Sequence, residues 1–168
     1  MKRALAIVGI LMFTAQAFGD APLALPSPAE RWSPNRRYVA VADPKKDTIT
    51  IYRVEGQTRT ESWRRDGWER AFDLADDGEH LIVCYSGLNL LPLNYETSWA
   101  MLSFYKRGVV IRKWSLRELI PDLSKLQRTV SHYRWGLCVG FDSKGLYEVQ
   151  TVDRGKLRFD VCTGEPAK

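Results

Sequence analysis

The chain has 168 residues, of which 45% are hydrophobic and 27% are charged, and its formal net charge is +5. This composition is typical of a globular protein and excludes a disordered or fibrous chain. Lys2 and Arg3 carry two of the net positive charges, so the rest of the chain is too close to neutral for nucleic acid to be a default partner.

The N-terminal segment has the order of a secretory signal peptide. Lys2 and Arg3 precede an apolar run over residues 4–13, and a small-x-small cleavage site follows at residues 15–17. We therefore predict a signal peptide over residues 1–17, with cleavage as late as residue 21, and export to the periplasm or the extracellular space. An uncleaved anchor or a buried helix is the alternative, although the run is short for a bilayer. No membrane span is predicted after cleavage.

The mature chain is predicted to hold one folded domain. Prolines punctuate residues 18–32, and this density favours an extended tether. A single β-rich domain is predicted over residues 33–164, which is enough chain to bury a core, and residues 165–168 form a short tail.

Periodicity along this domain predicts strands. Residues 48–54 alternate polar and apolar side chains, and residues 38–42, 80–85 and 101–106 are compact apolar runs. Residues 58–64 and 109–114 predict two further strands. Turns that contain Asp and Gly separate three strands at 137–141, 146–152 and 156–162, which predicts an antiparallel meander.

One short helical insert is predicted near residues 115–127. Ser115 and Glu118 have the spacing of a capping box, and Pro121 limits the length of the helix. The fold class is therefore mainly β with a single helical insert.

Three polar turns at residues 33–37, 75–79 and 142–145 each precede a pair of strands, and the first two begin 42 residues apart. These turns resemble the Ser-Pro-Asp-Gly turn of β-propeller blades of the WD and YVTN types. The resemblance implies antiparallel blades, and the chain is long enough for two to three blade-like units, fewer than a closed propeller needs. Sandwich-like units or a distorted barrel are the alternative.

The sequence carries no familiar catalytic motif, such as a Walker-type loop, Gly-x-Ser-x-Gly or His-Glu-x-x-His. Its two histidines, His80 and His132, lack the spacing of a zinc site, so no metal and no cofactor are predicted. An exported hydrolase remains the alternative function, and it would require the fold to bring these histidines to Asp76 and Asp77.

Three cysteines lie in the predicted exported part: Cys84, Cys138 and Cys162. An oxidising compartment favours one disulfide among them with one free thiol, and the sequence does not select the pair. Three buried thiols are the alternative.

Two segments are predicted to contact a partner. The apolar loop at 86–99 must either fold onto the core or meet another molecule. Residues 59–70 interleave Trp and Arg, which suits sugar rings or anionic groups, or else form an edge strand with inward tryptophans. The predicted contact residues are Leu88, Leu90, Leu91, Leu93, Tyr95 and Trp99 in the loop, and Trp63, Arg64, Arg65 and Trp68 in the second segment.

These features favour a small exported β domain that acts as a non-catalytic binding module. Another envelope or secreted protein is the expected partner, and a glycan or an anionic surface is a further candidate. A structural envelope protein that self-associates through open sheet edges is the second alternative to the hydrolase.

Overall fold

The computed structural model describes residues 23–167. The predicted signal peptide and the first residues of the predicted tether lie outside this range. Over the described range the chain is mainly β, with four antiparallel sheets, one short α-helix and one 3-10 turn, and no sheet closes into a barrel. The predicted fold class is confirmed. In chain order the strands are β1 (Ala29–Trp32), β2 (Tyr38–Asp43), β3 (Thr48–Glu55), β4 (Thr58–Asp66), β5 (Phe72–Leu74), β6 (His80–Cys84), β7 (Leu90–Pro92), β8 (Ala100–Lys106), β9 (Val109–Ser115), β10 (Gln127–Arg128), β11 (His132–Arg134), β12 (Gly136–Phe141), β13 (Tyr147–Thr151) and β14 (Gly155–Phe159).

The first sheet has the order β1-β2-β3-β4, so each strand pairs with its neighbour in sequence. The alternation predicted at residues 48–54 is present, since Ile49 and Ile51 of β3 are fully buried and their neighbours are not. Strand β1 lies inside the segment predicted as a tether. It joins the sheet because the edge of β2 offers hydrogen-bond partners from Ala29, opposite Ala42, to Trp32.

The second sheet has the order β5-β6-β8-β9 and lies between two hydrophobic cores. All five residues of β6 are buried because successive side chains enter opposite cores. Leu81 and Val83 face the core shared with the first sheet, whereas Ile82 and Cys84 face the core shared with the C-terminal strands.

The predicted helical insert is confirmed in place and is short. Helix α1 spans Leu116–Leu119, and both hydrogen bonds of the capping box between Ser115 and Glu118 are present. Ile120 caps the helix and Pro121, which cannot continue it, comes next; a 3-10 turn at Leu123–Lys125 completes the insert.

The third sheet, β12-β13-β14, is the predicted C-terminal meander. Strand β14 ends earlier than expected because the chain turns at Asp160, whose carbonyl accepts from Gly164 N–H at 2.7 Å. The predicted tail is held against the domain: Pro166 forms an isolated bridge with Phe159, and Ala167 N–H donates to the Arg158 carbonyl at 2.8 Å. Strands β10-β11-β7 form a fourth, smaller sheet.

The three turns noted in the sequence meet at one end of the molecule. They join β1 to β2, β5 to β6 and β12 to β13. Asn35 N–H donates to Asp76 Oδ1 at 2.7 Å, and the Asn35 side chain donates to the Asp76 carbonyl at 2.9 Å. Residues of all three turns, including Pro34, Asp76 and Asp142, line one cavity of about 410 Å³, called the turn cavity below.

Candidate functional site

The first strands of the three larger sheets face one groove of about 250 Å³. Strand β1 contributes Arg31, β5 contributes Phe72 and Asp73, and β12 contributes residues 137–139. We call this the disulfide groove and define it by the Cys84–Cys138 bridge together with Arg31, Arg70, Asp73, Leu88, Leu137 and Val139.

The disulfide joins Cys84 at the end of β6 to Cys138 on β12, so it links the second sheet to the third. The two Cα atoms lie 6.6 Å apart, within the range that a disulfide can bridge. The predicted single disulfide with one free thiol is present, and Cys162 is the free, exposed cysteine. Sequence spacing could not select this pair because it depends on how the two sheets pack.

Apolar side chains line the rim of the groove. The exposed fraction is 42% for Leu88 and 53% for both Leu137 and Val139. Leu137 and Val139 are exposed on either side of Cys138, which is half-buried and forms the disulfide. Three exposed large apolar residues at one groove form a surface that favours contact with another molecule.

Strand β12 also presents a free edge. It pairs with β13 and lies at the end of its sheet, so among the described strands its other side has no ladder partner. The register shifts between Cys138 and Gly140, which marks a bulge beside the groove. An edge with unpaired backbone groups and apolar side chains can accept an added strand.

Two guanidinium groups give the groove a positive wall. The Arg31 guanidinium lies 5.8 Å from the Phe72 ring centre, and that of Arg70 lies 5.4 Å from the Trp68 ring centre. Arg31 Nη1 donates to the Glu30 carbonyl at 3.1 Å, and among residues 23–167 neither Arg31 nor Arg70 forms a salt bridge with a carboxylate. Their donors therefore suit a carboxylate on a bound molecule.

The carboxyl group of Asp73 forms the polar floor. The Tyr147 hydroxyl donates to Asp73 Oδ2 at 2.6 Å and lies 3.2 Å from Cys84 Sγ. Burial raises the pKa of Asp73 above its ordinary value, although the Tyr147 hydrogen bond and the charge of Arg31 act in the opposite direction. Burial and the neighbouring Asp73 carboxyl group also raise the pKa of Tyr147, which keeps its hydroxyl protonated as the donor of this hydrogen bond.

The predicted leucine-rich loop divides between core and surface. Leu91 is fully buried on β7, and Leu90 is half-buried. Trp99 stacks on Tyr85 with ring centres 6.0 Å apart, and Tyr95 contacts the Tyr133 ring edge-on at 5.6 Å. Most of the loop is therefore packed on the domain.

Two leucines of that loop remain outside the core. The exposed fraction of Leu88 is 42% and that of Leu93 is 48%. Leu88 lines the disulfide groove, whereas Leu93 is not among the residues that line it. Leu88 is thus the predicted contact residue that the structure places in the candidate site.

The predicted Trp-Arg surface is used largely within the fold. Trp63 is buried, and its indole N–H donates to the Gly78 carbonyl at 2.7 Å. This is the placement expected under the alternative of an edge strand with inward tryptophans, since β4 lies at the edge of its sheet. Arg65 lies 4.5 Å from the Tyr105 ring centre and 3.4 Å from a carboxylate oxygen of Glu69. Arg64 is exposed and Trp68 half-buried.

Of the four residues named for the alternative function as a hydrolase, the structure brings His80 and Asp77 into contact. His80 is buried, and its Nδ1 lies 2.5 Å from Asp77 Oδ2. Asp76 instead contacts Asn35, and His132 lies on β11 opposite Pro92 of β7.

Sequence reasoning missed most of the groove. Arg31 lay in the predicted tether, and nothing in the sequence distinguished Asp73 from other acidic residues. A signal did exist for Leu137 and Val139, because strand 137–141 has apolar side chains on both faces and one of those faces must remain outside the core.

No family model matches this chain, and neither a curated protein sequence nor a solved structure matches it. None of the helices within residues 23–167 has the length and apolar character needed to cross a bilayer. The function is therefore inferred from the residues of this chain.

Proposed function

We propose that this protein is an exported, non-catalytic binding module that holds an extended segment of another exported protein in the disulfide groove. The observation that carries the proposal is the combination of a free β12 edge with exposed Leu137 and Val139 beside it. A peptide added as a strand would obtain affinity from main-chain hydrogen bonds and specificity from alternate side chains.

The size and charge of the groove favour a particular segment. Its volume of about 250 Å³ is below the usual range for sites that enclose drug-sized ligands. It therefore suits one or two side chains of a longer peptide. Arg31 and Arg70 favour a peptide that carries an acidic residue near its apolar ones, since guanidinium groups form bidentate hydrogen bonds with carboxylates.

Export is supported by two independent features. The predicted signal peptide at residues 1–17 addresses the chain to the secretory route. The Cys84–Cys138 disulfide is of the kind that persists in the periplasm or the extracellular space and is rare in the cytosol. We propose the periplasm or the extracellular space as the location.

The arrangement of the sheets supports the proposal that they are related, blade-like units. Corresponding turns follow β1, β5 and β12, and all three contribute to the turn cavity. Side chains of the same strands, β1, β5 and β12, also line the disulfide groove. A groove bounded by the first strands of several blades would resemble the central channel of a propeller, here made by fewer units.

Site-specific photo-crosslinking tests the proposal in envelope extract. A benzophenone side chain replaces Leu137 in one variant and Val110 in a control variant. Val110 is 45% exposed and lies on β9, which is also a sheet edge. We expect a defined crosslinked protein from position 137 and none from position 110.

A second comparison measures affinity for the crosslinked segment as a synthetic peptide. The double substitution Leu137→Asp and Val139→Asp is expected to weaken binding at least tenfold. A few anchor side chains carry most of the binding energy of an interface, and these changes replace two apolar anchors by charges. Val109→Asp with Val110→Asp is the matched control and should bind like the wild type. Equal crosslinking at both positions, or equal losses in both double variants, would overturn the proposal. A homodimeric product would support self-association instead.

A further inference from the structure

Three metal-ligating side chains from two distant parts of the chain meet beside the turn cavity. Asp77 and His80 flank the start of β6, and Cys162 lies in the turn that follows β14. One donor atom from each residue, a carboxylate oxygen, a ring nitrogen and Sγ, lies within 4.8 Å of the other two. The cluster is separate from the disulfide groove, and it uses the cysteine that has no disulfide partner.

Asp77 and His80 are held in place before any ligand arrives. Asp77 Oδ1 accepts from the backbone N–H groups of Glu79 at 2.8 Å and of His80 at 3.0 Å. Asp77 Oδ2 lies 2.5 Å from His80 Nδ1, and the exposed fraction of His80 is 4%. A carboxylate that fixes an imidazole in this way is the usual support of a metal-binding histidine.

Cys162 is the third candidate ligand, and its side chain is less constrained than those of Asp77 and His80. It is exposed, and its backbone N–H donates to Asp160 Oδ1 at 2.7 Å, which anchors the turn but leaves the thiol unused. Tetrahedral ligands of Zn²⁺ lie roughly 3.5 Å from one another, given metal bonds of about 2.0–2.3 Å. The three donor atoms already lie within 4.8 Å of one another, and the Cys162 side chain is exposed, so rotation about its side-chain bond can change its distances to the other two.

The donor set selects the class of metal. Ca²⁺ and Mg²⁺ prefer oxygen ligands and do not favour a thiol. A thiolate, an imidazole and a carboxylate together are ligands of Zn²⁺. The thiolate and carboxylate balance the two positive charges, and the thiol proton leaves to solvent as the metal binds.

We propose that Asp77, His80 and Cys162 form a Zn²⁺ site with at least one coordination position open to solvent. Asp77 Oδ2 and His80 Nδ1 are 2.5 Å apart, closer than two ligand atoms of one tetrahedral Zn²⁺. Asp77 therefore orients His80 toward the metal, and it binds the metal itself only if its Oδ2 moves away from Nδ1. Asp77 also lines the turn cavity of about 410 Å³, together with Val161, the neighbour of Cys162. This cavity adjoins the cluster at Asp77 and is large enough to hold water or a small anion.

The experiment uses the mature chain with its disulfide intact and stripped of metal. Isothermal titration with Zn²⁺ should show one site, and Co²⁺ should give the near-ultraviolet absorption of a thiolate-to-metal transition. Cys162→Ser should abolish that absorption and weaken Zn²⁺ binding at least tenfold, as loss of ligand-shell groups does. Because Cys162 is exposed, this variant should fold normally.

Matched variants separate the site from nearby acidic residues. Asp77→Asn should weaken binding about tenfold or more, whereas Asp76→Asn, its sequence neighbour outside the cluster, should not. Zn²⁺ should also protect Cys162 from alkylation in the wild type, and His80→Gln should remove this protection. His132→Gln serves as the histidine control.

Three results would overturn the proposal. The first is no binding of Zn²⁺ at micromolar concentration, and the second is wild-type affinity in Cys162→Ser. The third is a Cys162–Cys162 crosslinked dimer that forms equally with and without the metal, detected as a doubled mass without reductant. None of these results depends on whether the disulfide groove binds a peptide.

Discussion

Removal of the Cys84–Cys138 disulfide should cost about 4 kcal/mol of unfolding free energy at 25 °C. The bridged cysteines are 54 residues apart in sequence. The chain-entropy relation for a closed loop of that length gives roughly 14 cal/mol/K, which is about 4 kcal/mol at 298 K. Most small domains have only about 5–15 kcal/mol in total, so the loss would be a large part of the stability.

Urea denaturation of the Cys84→Ala/Cys138→Ala variant, followed by tryptophan fluorescence, provides the measurement. Reduction of the wild type by a thiol reagent should produce a similar loss while keeping both sulfur atoms, so agreement separates chain entropy from lost packing at the buried Cys84. Cys162→Ser is the control and should change stability by less than about 0.5 kcal/mol, as exposed substitutions usually do. A loss below about 1 kcal/mol in both the variant and the reduced protein would refute the reasoning.

Two further changes test the groove floor and one of the three turns. Asp73→Asn should be more stable than the wild type at pH 7, because burial raises the pKa of the Asp73 carboxyl and ionisation then lowers the stability of the folded state as the pH rises. This gain in stability should vanish below about pH 4, where the wild-type carboxyl is protonated in both the folded and the unfolded state. Urea titrations at several pH values measure the gain, and an increase of the gain toward acidic pH would contradict the prediction. Gly78→Ala should cost about 2–5 kcal/mol, because φ is +68° and a Cβ would overlap the Tyr38 ring. Gly145→Ala, with φ of +79° and open space, should cost only about 1–2 kcal/mol in the same thermal or urea unfolding assay, and equal losses would contradict the role of Tyr38.

Local patterns predicted the fold class and most strands. The alternation at residues 48–54 became β3, and the two Asp-Gly turns near the C-terminus separate β12, β13 and β14 as expected. The capping box at Ser115 was also predicted, since its two hydrogen bonds connect residues three positions apart. Such features depend on neighbours in sequence, and a single sequence contains them.

Features that depend on distant pairing were not predictable in the same way. Strand β1 exists because the edge of β2 accepts it, and the choice of Cys138 as the partner of Cys84 follows from the packing of two sheets. Trp63 has the same local pattern whether it faces solvent or donates to Gly78 in the core. The disulfide groove combines residues from three sheets, and only Leu88 among the predicted contacts belongs to it.

The core that the middle sheet shares with the C-terminal strands bears on when the chain can fold. Phe104 on β8 packs against Phe159 on β14, and the Tyr147 hydroxyl on β13 donates a hydrogen bond to Asp73 on β5. The middle sheet therefore cannot complete its packing until the C-terminal strands are available, and pairing of distant segments is slow. The middle sheet of an emerging chain would thus remain incompletely packed until synthesis is nearly finished. Under the proposed export, this delay would keep the polypeptide in a form that can be threaded across a membrane, with the covalent bond between Cys84 and Cys138 closing afterwards.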